Sequence, residues 1–296
     1  MAELNRRDDG LVADDLIGSV KPYALHLALC TGGPRELWAA RVEEMAGIFT
    51  ALHGALQAHG LEGTVKLTAC DDLSLSEEGV DLLLMPHMLR LPAITEARIE
   101  SLMKALTTDF ARGFPFDVAP MGGGDHLFLC VHQARDARCG QWGEAVAQAF
   151  EREIASQAAI ATLHRSSHLG GHKYAATGIL YPQGLWFGNL RPDDVPRFVA
   201  EQLNEEQLLP EFYRGRLGYS FAAQRVEGHA ARHFQRRYGR FERLAVRVTE
   251  AADGERAQGQ ATASVATDEG WQARTVTVTL SWRAGRWHLL TISEEG

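Results

Sequence analysis

Apolar residues in this chain fall into short solid runs separated by stretches of helical spacing. Tyr23 to Cys30 is one such run, closed by Thr31-Gly32-Gly33, which is the pattern of a buried strand. Apolar positions over 37–59 then recur at helical spacing, and Gly60 supplies a stop. Two further strands are predicted at 64–69 and 80–85, and a helix at 95–106. The series then starts again. Strands are predicted at 127–131 and 159–163, with a helix at 141–156 between them. A hairpin over 177–181 and 185–188 turns at Pro182-Gln183-Gly184, and a helix follows at 192–203.

The second series is a weak copy of the first. His26-Leu27-Ala28-Leu29-Cys30 and His126-Leu127-Phe128-Leu129-Cys130 share one pattern at an offset of 100 residues, which Arg35 and Arg135, and Glu44 and Glu144, also keep. Leu82-Leu83-Leu84-Met85-Pro86 parallels Gly178-Ile179-Leu180-Tyr181-Pro182. Self-similarity of this length predicts two copies of one fold, since a solenoid needs at least about three short repeats. Strand, helix, strand, paired strands and helix is the element order of a thioredoxin-like domain. The fold expected is therefore α/β (α+β overall), with two thioredoxin-like lobes, the first degenerate.

The last third reads differently. Helices are predicted at 205–212 and 221–238, then an antiparallel meander of strands at 244–249, 261–266, 275–282 and 287–292. Asp253-Gly254, Glu269-Gly270 and Ala284-Gly285 supply its turns. The expected organisation is an N-terminal tail at 1–19 and a degenerate lobe at 20–115. A second lobe follows at 116–204, then a small α+β accessory unit at 205–296. The glycine-rich stretch 107–124 reads as the linker between lobes.

Composition narrows the function classes. The 296 residues carry a net charge of −8, which gives no indication of a phosphate-binding surface and argues against nucleic acid as a main partner. No run approaches the roughly 18 apolar residues of a membrane span. Met1 to Asp15 is charged, without the apolar core of a secretion signal, so a cytoplasmic location without membrane association is expected. Four cysteines make no disulfide framework and suit metal ligation or free thiols in a reducing compartment.

The chemistry concentrates in the second copy. Cys130 closes a predicted strand and Cys139 opens the helix after it, so the loop between them can fold both thiols around one centre. His168-Leu169-Gly170-Gly171-His172-Lys173 adds two imidazoles, with glycines that let the backbone come close. Two thiolates and two imidazoles suit either Zn²⁺ or a [2Fe–2S] cluster. Taken alone, Cys130 reads as an ordinary buried strand cysteine. The comparison of copies changes that: Ala39 stands where the second copy has Cys139, and Cys70-Asp71-Asp72 stands in place of the histidine segment. Ser166, Ser167, Gly170, Gly171 and Lys173 are candidates to orient the ligands. Cys130-Val131-His132 adds His132, read as a neighbour of the ligands or as a replacement for one of the two histidines. His229 and His233 have metal-like spacing but lie on an arginine-rich stretch that reads as a solvated face.

Leu129-Cys130-Val131-His132, Arg135-Asp136, Cys139-Gly140, the histidine segment through Tyr174-Ala175, and Tyr181-Pro182 together resemble the sucrase/ferredoxin-like family of thioredoxin-like [2Fe–2S] ferredoxins. The close resemblance covers about 125–200 and is bis-histidinyl in type. It implies a [2Fe–2S] cluster held by Cys130, Cys139, His168 and His172. It implies a redox carrier rather than an enzyme, with an unidentified redox partner and no catalytic residue. Imidazoles in place of thiolates remove negative charge, so reduction is expected to be easier than with four thiolates, and coupled to proton uptake. Two other readings use the same residues: a zinc-stapled structural or interaction protein, and a thiol oxidoreductase. The first is disfavoured by the wide cysteine spacing, the second by the lack of a Cys-x-x-Cys pair.

Overall fold

The computed structural model of the protein describes residues 13–33, 35–107, 114–251 and 254–294. These divide into two compact units: one of 23–184 and 189–196, the other of 13–22, 185–188 and 197–294. Among the described residues no helix is long and apolar enough to cross a membrane. A short helix, α1 (Ala13–Leu16), opens the described chain.

The first unit contains the first copy and most of the second. The first copy runs β1 (Leu25–Cys30), α2 (Ile48–Ala58), β2 (Val65–Cys70), β3 (Val80–Met85), β4 (Leu89–Ile94) and α3 (Ile99–Thr107). A two-residue strand, β5 (Ala119–Pro120), lies within the expected linker, of which 108–113 fall outside the described residues. The second copy runs β6 (Asp125–Cys130), a π turn at Cys139–Gly143, α4 (Glu144–Ser156), β7 (Ala161–Ser166) and β8 (Gly178–Tyr181). In each copy the first strand pairs parallel with the second and antiparallel with the third. Every residue of β1 is buried, as its unbroken apolar run requires of a central strand.

The two copies meet edge to edge in one sheet of order β8-β6-β7-β2-β1-β3-β4-β5. The junction is antiparallel and consists of Cys70 of β2 opposite Ser166 of β7. Side chains reinforce it: Ser167 Oγ accepts from the Ala69 amide at 2.9 Å, and the Ser167 amide donates to the Ala69 carbonyl at 2.8 Å. The lobes expected at 20–115 and 116–204 thus share one sheet, because each leaves its second strand unpaired on the outer edge and the two edges satisfy each other.

Several boundaries differ from the sequence pattern for local reasons. The helix expected at 37–59 begins at Ile48, because Gly47 stands at its N-cap with φ 74°, outside the helical range. The strand expected at 159–163 is Ala161–Ser166, since Ala158 takes φ 51° and delays its start. The helix expected at 192–203 is a composite of a 3₁₀ turn, α5 (Val195–Arg197) and a π turn at Phe198–Asn204.

In the second unit β9 (Leu185–Phe187) pairs antiparallel with β10 (Tyr213–Arg216). The helix expected at 205–212 does not form. Glu206 takes φ 53° and Pro210 has no amide to donate, so the backbone there is irregular. The long helix α6 (Phe221–Tyr238) follows, with Ser220 Oγ capping the Ala223 amide at 3.2 Å. The meander is present, with strands longer than the pattern gave: β11 (Phe241–Glu250), β12 (Arg256–Thr267), β13 (Gly270–Arg283) and β14 (Arg286–Glu294). Asp253 of its first expected turn lies outside the described residues. Helix α6 buries Val226, Ala230 and Phe234. Its fully buried Glu227 accepts from Tyr213 and Arg216 of β10. Ile17, in the segment expected as a tail, is buried in this unit, where Gly228 leaves it room: a Cβ there would come within 2.6 Å.

Candidate metal centre

Strand β6 delivers Cys130 at its buried end, next to the start of the loop that carries Cys139. Asp136 shapes that loop. Its carboxylate accepts from the Arg138 amide at 3.0 Å and from the Arg138 guanidinium at 2.9 Å, and its carbonyl accepts from the Cys139 amide at 3.0 Å. Those bonds from Arg138 hold the Asp136 carboxyl down at about 2. Cys139 then opens the π turn rather than the α-helix itself. Two glycines let the turn press against the strand end. A Cβ on Gly143 would lie 2.0 Å from the Cys130 carbonyl oxygen, and one on Gly140 would lie 2.4 Å from Gln133 Cβ.

Strand β7 launches the histidine segment from the lobe junction at Ser167. Gly170 and Gly171 take φ 101° and 75°, conformations that side chains resist, and reverse the chain. The 3₁₀ turn His172–Tyr174 follows, with the Tyr174 amide donating to the Gly171 carbonyl at 2.8 Å. Arg191 fastens the histidine segment to the π turn. It donates to the Ala175 carbonyl at 2.7 Å, while its guanidinium stacks 4.3 Å over the Trp142 ring of the π turn.

The outcome is a convergence of donors. The sulfurs of Cys130 and Cys139 and a ring nitrogen of His168 all lie within 4.8 Å of one another. His172 stands beside them, its ring centroid 5.8 Å from that of His168. Nδ1 of His168 and Nδ1 of His172 are both buried without a hydrogen-bond partner. A buried nitrogen without a partner costs about 1–3 kcal/mol, which ligation would remove. The other face of His172 is open: its side chain is 45% exposed, with Nε2 3.9 Å from Asp136 Oδ2.

Electrostatics separate the two thiols. Cys130 is held well below the usual thiol range by the bond from Cys139. Bonds from His168 and from the amides of His132 and Leu169 outweigh, with it, the opposing effect of burial. Cys139 is pushed up by the same shared bond, then by burial and by the charge on Cys130. Amides aimed at a sulfur stabilise a thiolate, the form that binds metal. Soft sulfur and imidazole nitrogen fit a zinc ion or an iron–sulfur cluster, and no hard oxygen donor belongs to the group.

His132 is buried and lies outside the three-donor group; its Nε2 is 3.5 Å from the Trp38 carbonyl and its ring meets Trp38 edge-on. Lys173 is exposed, with Nζ 4.6 Å over the Tyr174 ring. Gly170 and Gly171 provide the reversal, and Ser166 and Ser167 serve the lobe junction. Cys30 and Cys70 are a separate buried thiol pair, 4.0 Å apart, in the first lobe. His229 and His233 belong to the other unit. Sequence reasoning named Asp136 in the motif without a role, and missed Trp38, Arg138, Gly143 and Arg191 as parts of this centre. Gly143, four residues after Cys139, was the available signal.

The family model for sucrase/ferredoxin-like proteins matches residues 16–215. The chain belongs to that family. Among curated proteins, this sucrase/ferredoxin-like chain is similar to fungal proteins named altered inheritance of mitochondria protein 32. The Clavispora lusitaniae protein is 34% identical over 31% of this chain and 34% of its own length. The Debaryomyces hansenii protein is 30% identical over 31% of this chain and 36% of its own. The chain thus spans about a third of the length of the curated relatives it matches. Among solved structures, a thioredoxin-like [2Fe–2S] ferredoxin from Aquifex aeolicus is similar at 19% identity and a TM-score of 0.29, covering 32% of this chain and 94% of that one.

Proposed function

We propose that the protein is an electron carrier that holds a [2Fe–2S] cluster through Cys130, Cys139, His168 and His172. The observation that carries this reading is the meeting of the Cys130 and Cys139 sulfurs with a ring nitrogen of His168, beside His172, with the Nδ1 atoms of both histidines buried and unpartnered. Such a cluster supplies one-electron exchange when bound.

The chain's own residues account for the rest. The amides of His132 and Leu169 stabilise the Cys130 thiolate, and the two imidazoles add no charge, so the ligand set carries two formal negative charges rather than four. Leu169, Trp38 and His132 are buried and keep water from the inner side. His172 presents the exposed edge, and its Nε2 near Asp136 is the atom at which a proton can pass to solvent. Electrons and protons would then leave at one face, towards a redox partner.

Anaerobic purification with iron, zinc and acid-labile sulfide analysis, followed by EPR after dithionite reduction, tests the reading. Two irons and two sulfides per chain with a rhombic S = 1/2 signal are expected. Stoichiometric zinc without sulfide, persisting after reconstitution is attempted, would replace the carrier with a zinc-stapled protein.

A further inference from the structure

The second unit contains a cavity outside the metal centre. Helix α6 presents His229, Arg232, His233 and Arg236 at steps of three and four residues, which places them on one stripe of the helix. That stripe faces Leu289 and Ile292 of β14 across a space of about 510 Å³. A volume of this size is typical of small-molecule sites, which run from about 300 to 1,000 Å³.

Strand β14 is irregular at this point. Its pairing with β13 slips between Thr279↔Thr291 and Leu280↔Leu289, which leaves Leu290 as an extra residue. The side-chain alternation therefore inverts there. Trp287 and Leu289 are on the more buried side before the bulge, Ile292 and Glu294 after it, and Leu290 turns outward. A bulge of this kind re-aims side chains, and here it sets two aliphatic residues side by side opposite the cationic stripe.

The charges around the cavity are unequal. Glu294 accepts from His233 at 3.1 Å and from Tyr238, and it lies 3.1 Å from Arg237 and 3.7 Å from Arg274. One carboxylate is shared by four partners. Arg236 makes no ion pair or hydrogen bond among the described residues, and it borders the cavity beside Arg232. Guanidinium groups present paired donors that match the oxygens of a phosphate, and the aliphatic floor asks for an apolar body.

We propose that this cavity binds a small phosphate monoester with an apolar substituent, the phosphate on Arg232 and Arg236 and the substituent over Leu289 and Ile292. Binding of hexyl phosphate and of inorganic phosphate to the full chain, by calorimetry and thermal shift, tests this. Hexyl phosphate is expected to raise the melting temperature and to bind at least about tenfold more tightly than inorganic phosphate, because the floor buries several methylenes. Arg236→Gln is expected to weaken it by about tenfold, as does loss of a charged hydrogen bond elsewhere. Arg236 is exposed, so this variant tests binding without threatening the fold. Equal affinity for the two probes would mark an adventitious anion only. Unchanged affinity in Arg236→Gln, or no response to hexyl phosphate at millimolar concentration, would overturn the proposal. Binding to phosphatidate-containing vesicles without binding to hexyl phosphate would assign the stripe to a membrane surface instead and overturn it equally.

Discussion

Cys70 and Ser166 face each other at the junction of the two lobes, and each is also the other's counterpart. Cys70 pairs with Cys30 across β1 and β2, and Ser166 pairs with Cys130 across β6 and β7. The duplicated strands therefore end against one another. The residues that follow them, Asp71 and Ser167, bond across to Arg165 and Ala69. The histidine segment of the second lobe starts from this junction, so the first lobe supports the candidate metal centre while holding none of the three converging donors.

Ser167→Ala tests that support. It would leave the buried Ala69 amide without the acceptor that it has at 2.9 Å. A buried donor stripped of its partner costs about 1–3 kcal/mol. Denaturant unfolding is expected to show a loss of that size, together with lower iron content, because His168 is the next residue. Full stability in Ser167→Ala would mean that the remaining bonds across the junction, such as those of Asp71 with Arg165 and of Ser166 with Ala69, hold the lobes without it.

Ligand replacements separate the members of the donor set. Cys130→Ser and Cys139→Ser are expected to lose most of the bound iron. His168→Cys and His172→Cys are expected to keep iron and sulfide, with altered visible spectra and a lower reduction potential, since a thiolate adds negative charge. A His172→Cys protein with an unaltered spectrum would shift the fourth ligand to His132, whose buried Nδ1 also lacks a partner.

Gly143→Ala examines the close approach of the π turn to β6. The added methyl would sit 2.0 Å from a backbone oxygen, which cannot rotate aside. Overpacking of this kind typically costs about 1–3 kcal/mol. The displaced turn carries Cys139, so the melting temperature and the bound iron should fall together. Normal iron content with a lowered melting temperature would separate the turn's packing from ligand placement.

Buried histidines make stability depend on pH. His26 is fully buried between Tyr181 and Thr68, and burial holds it well below its usual value, with Lys66 adding to the effect. Burial depresses His126 and His132 likewise. The unfolded chain takes up protons near pH 6.5 and the folded one does not. Stability is therefore complete above about pH 6.5 and falls below it, by at most about 1.4 kcal/mol per pH unit for His26, with His126 and His132 adding less because they are lowered less. Urea midpoints of the protein at pH 7.5 and 5.5 should show the decline, and His26→Gln should make it shallower. A midpoint that rises on acidification would contradict the assignment of a neutral, buried His26.

The sequence by itself determined a good deal. Its apolar runs and glycine stops gave both β-α-β series and the terminal meander, because strand and helix periodicity are local properties. It also named Cys130, Cys139, His168 and His172 as candidates, since a difference between two copies is visible without knowing their contacts, and the fold brings the two sulfurs and a His168 nitrogen together. Tertiary structure decided the rest. The pairing of β2 with β7 joins residues about 100 positions apart, such as Ala69 and Ser167, and no local pattern encodes an edge-to-edge match. The same holds for Trp38 against His132, and for Arg191 between Trp142 and the Ala175 carbonyl. Whether an imidazole nitrogen is buried without a partner depends on everything packed around it. That is a property of the assembled fold and not of the residue or its neighbours in the chain.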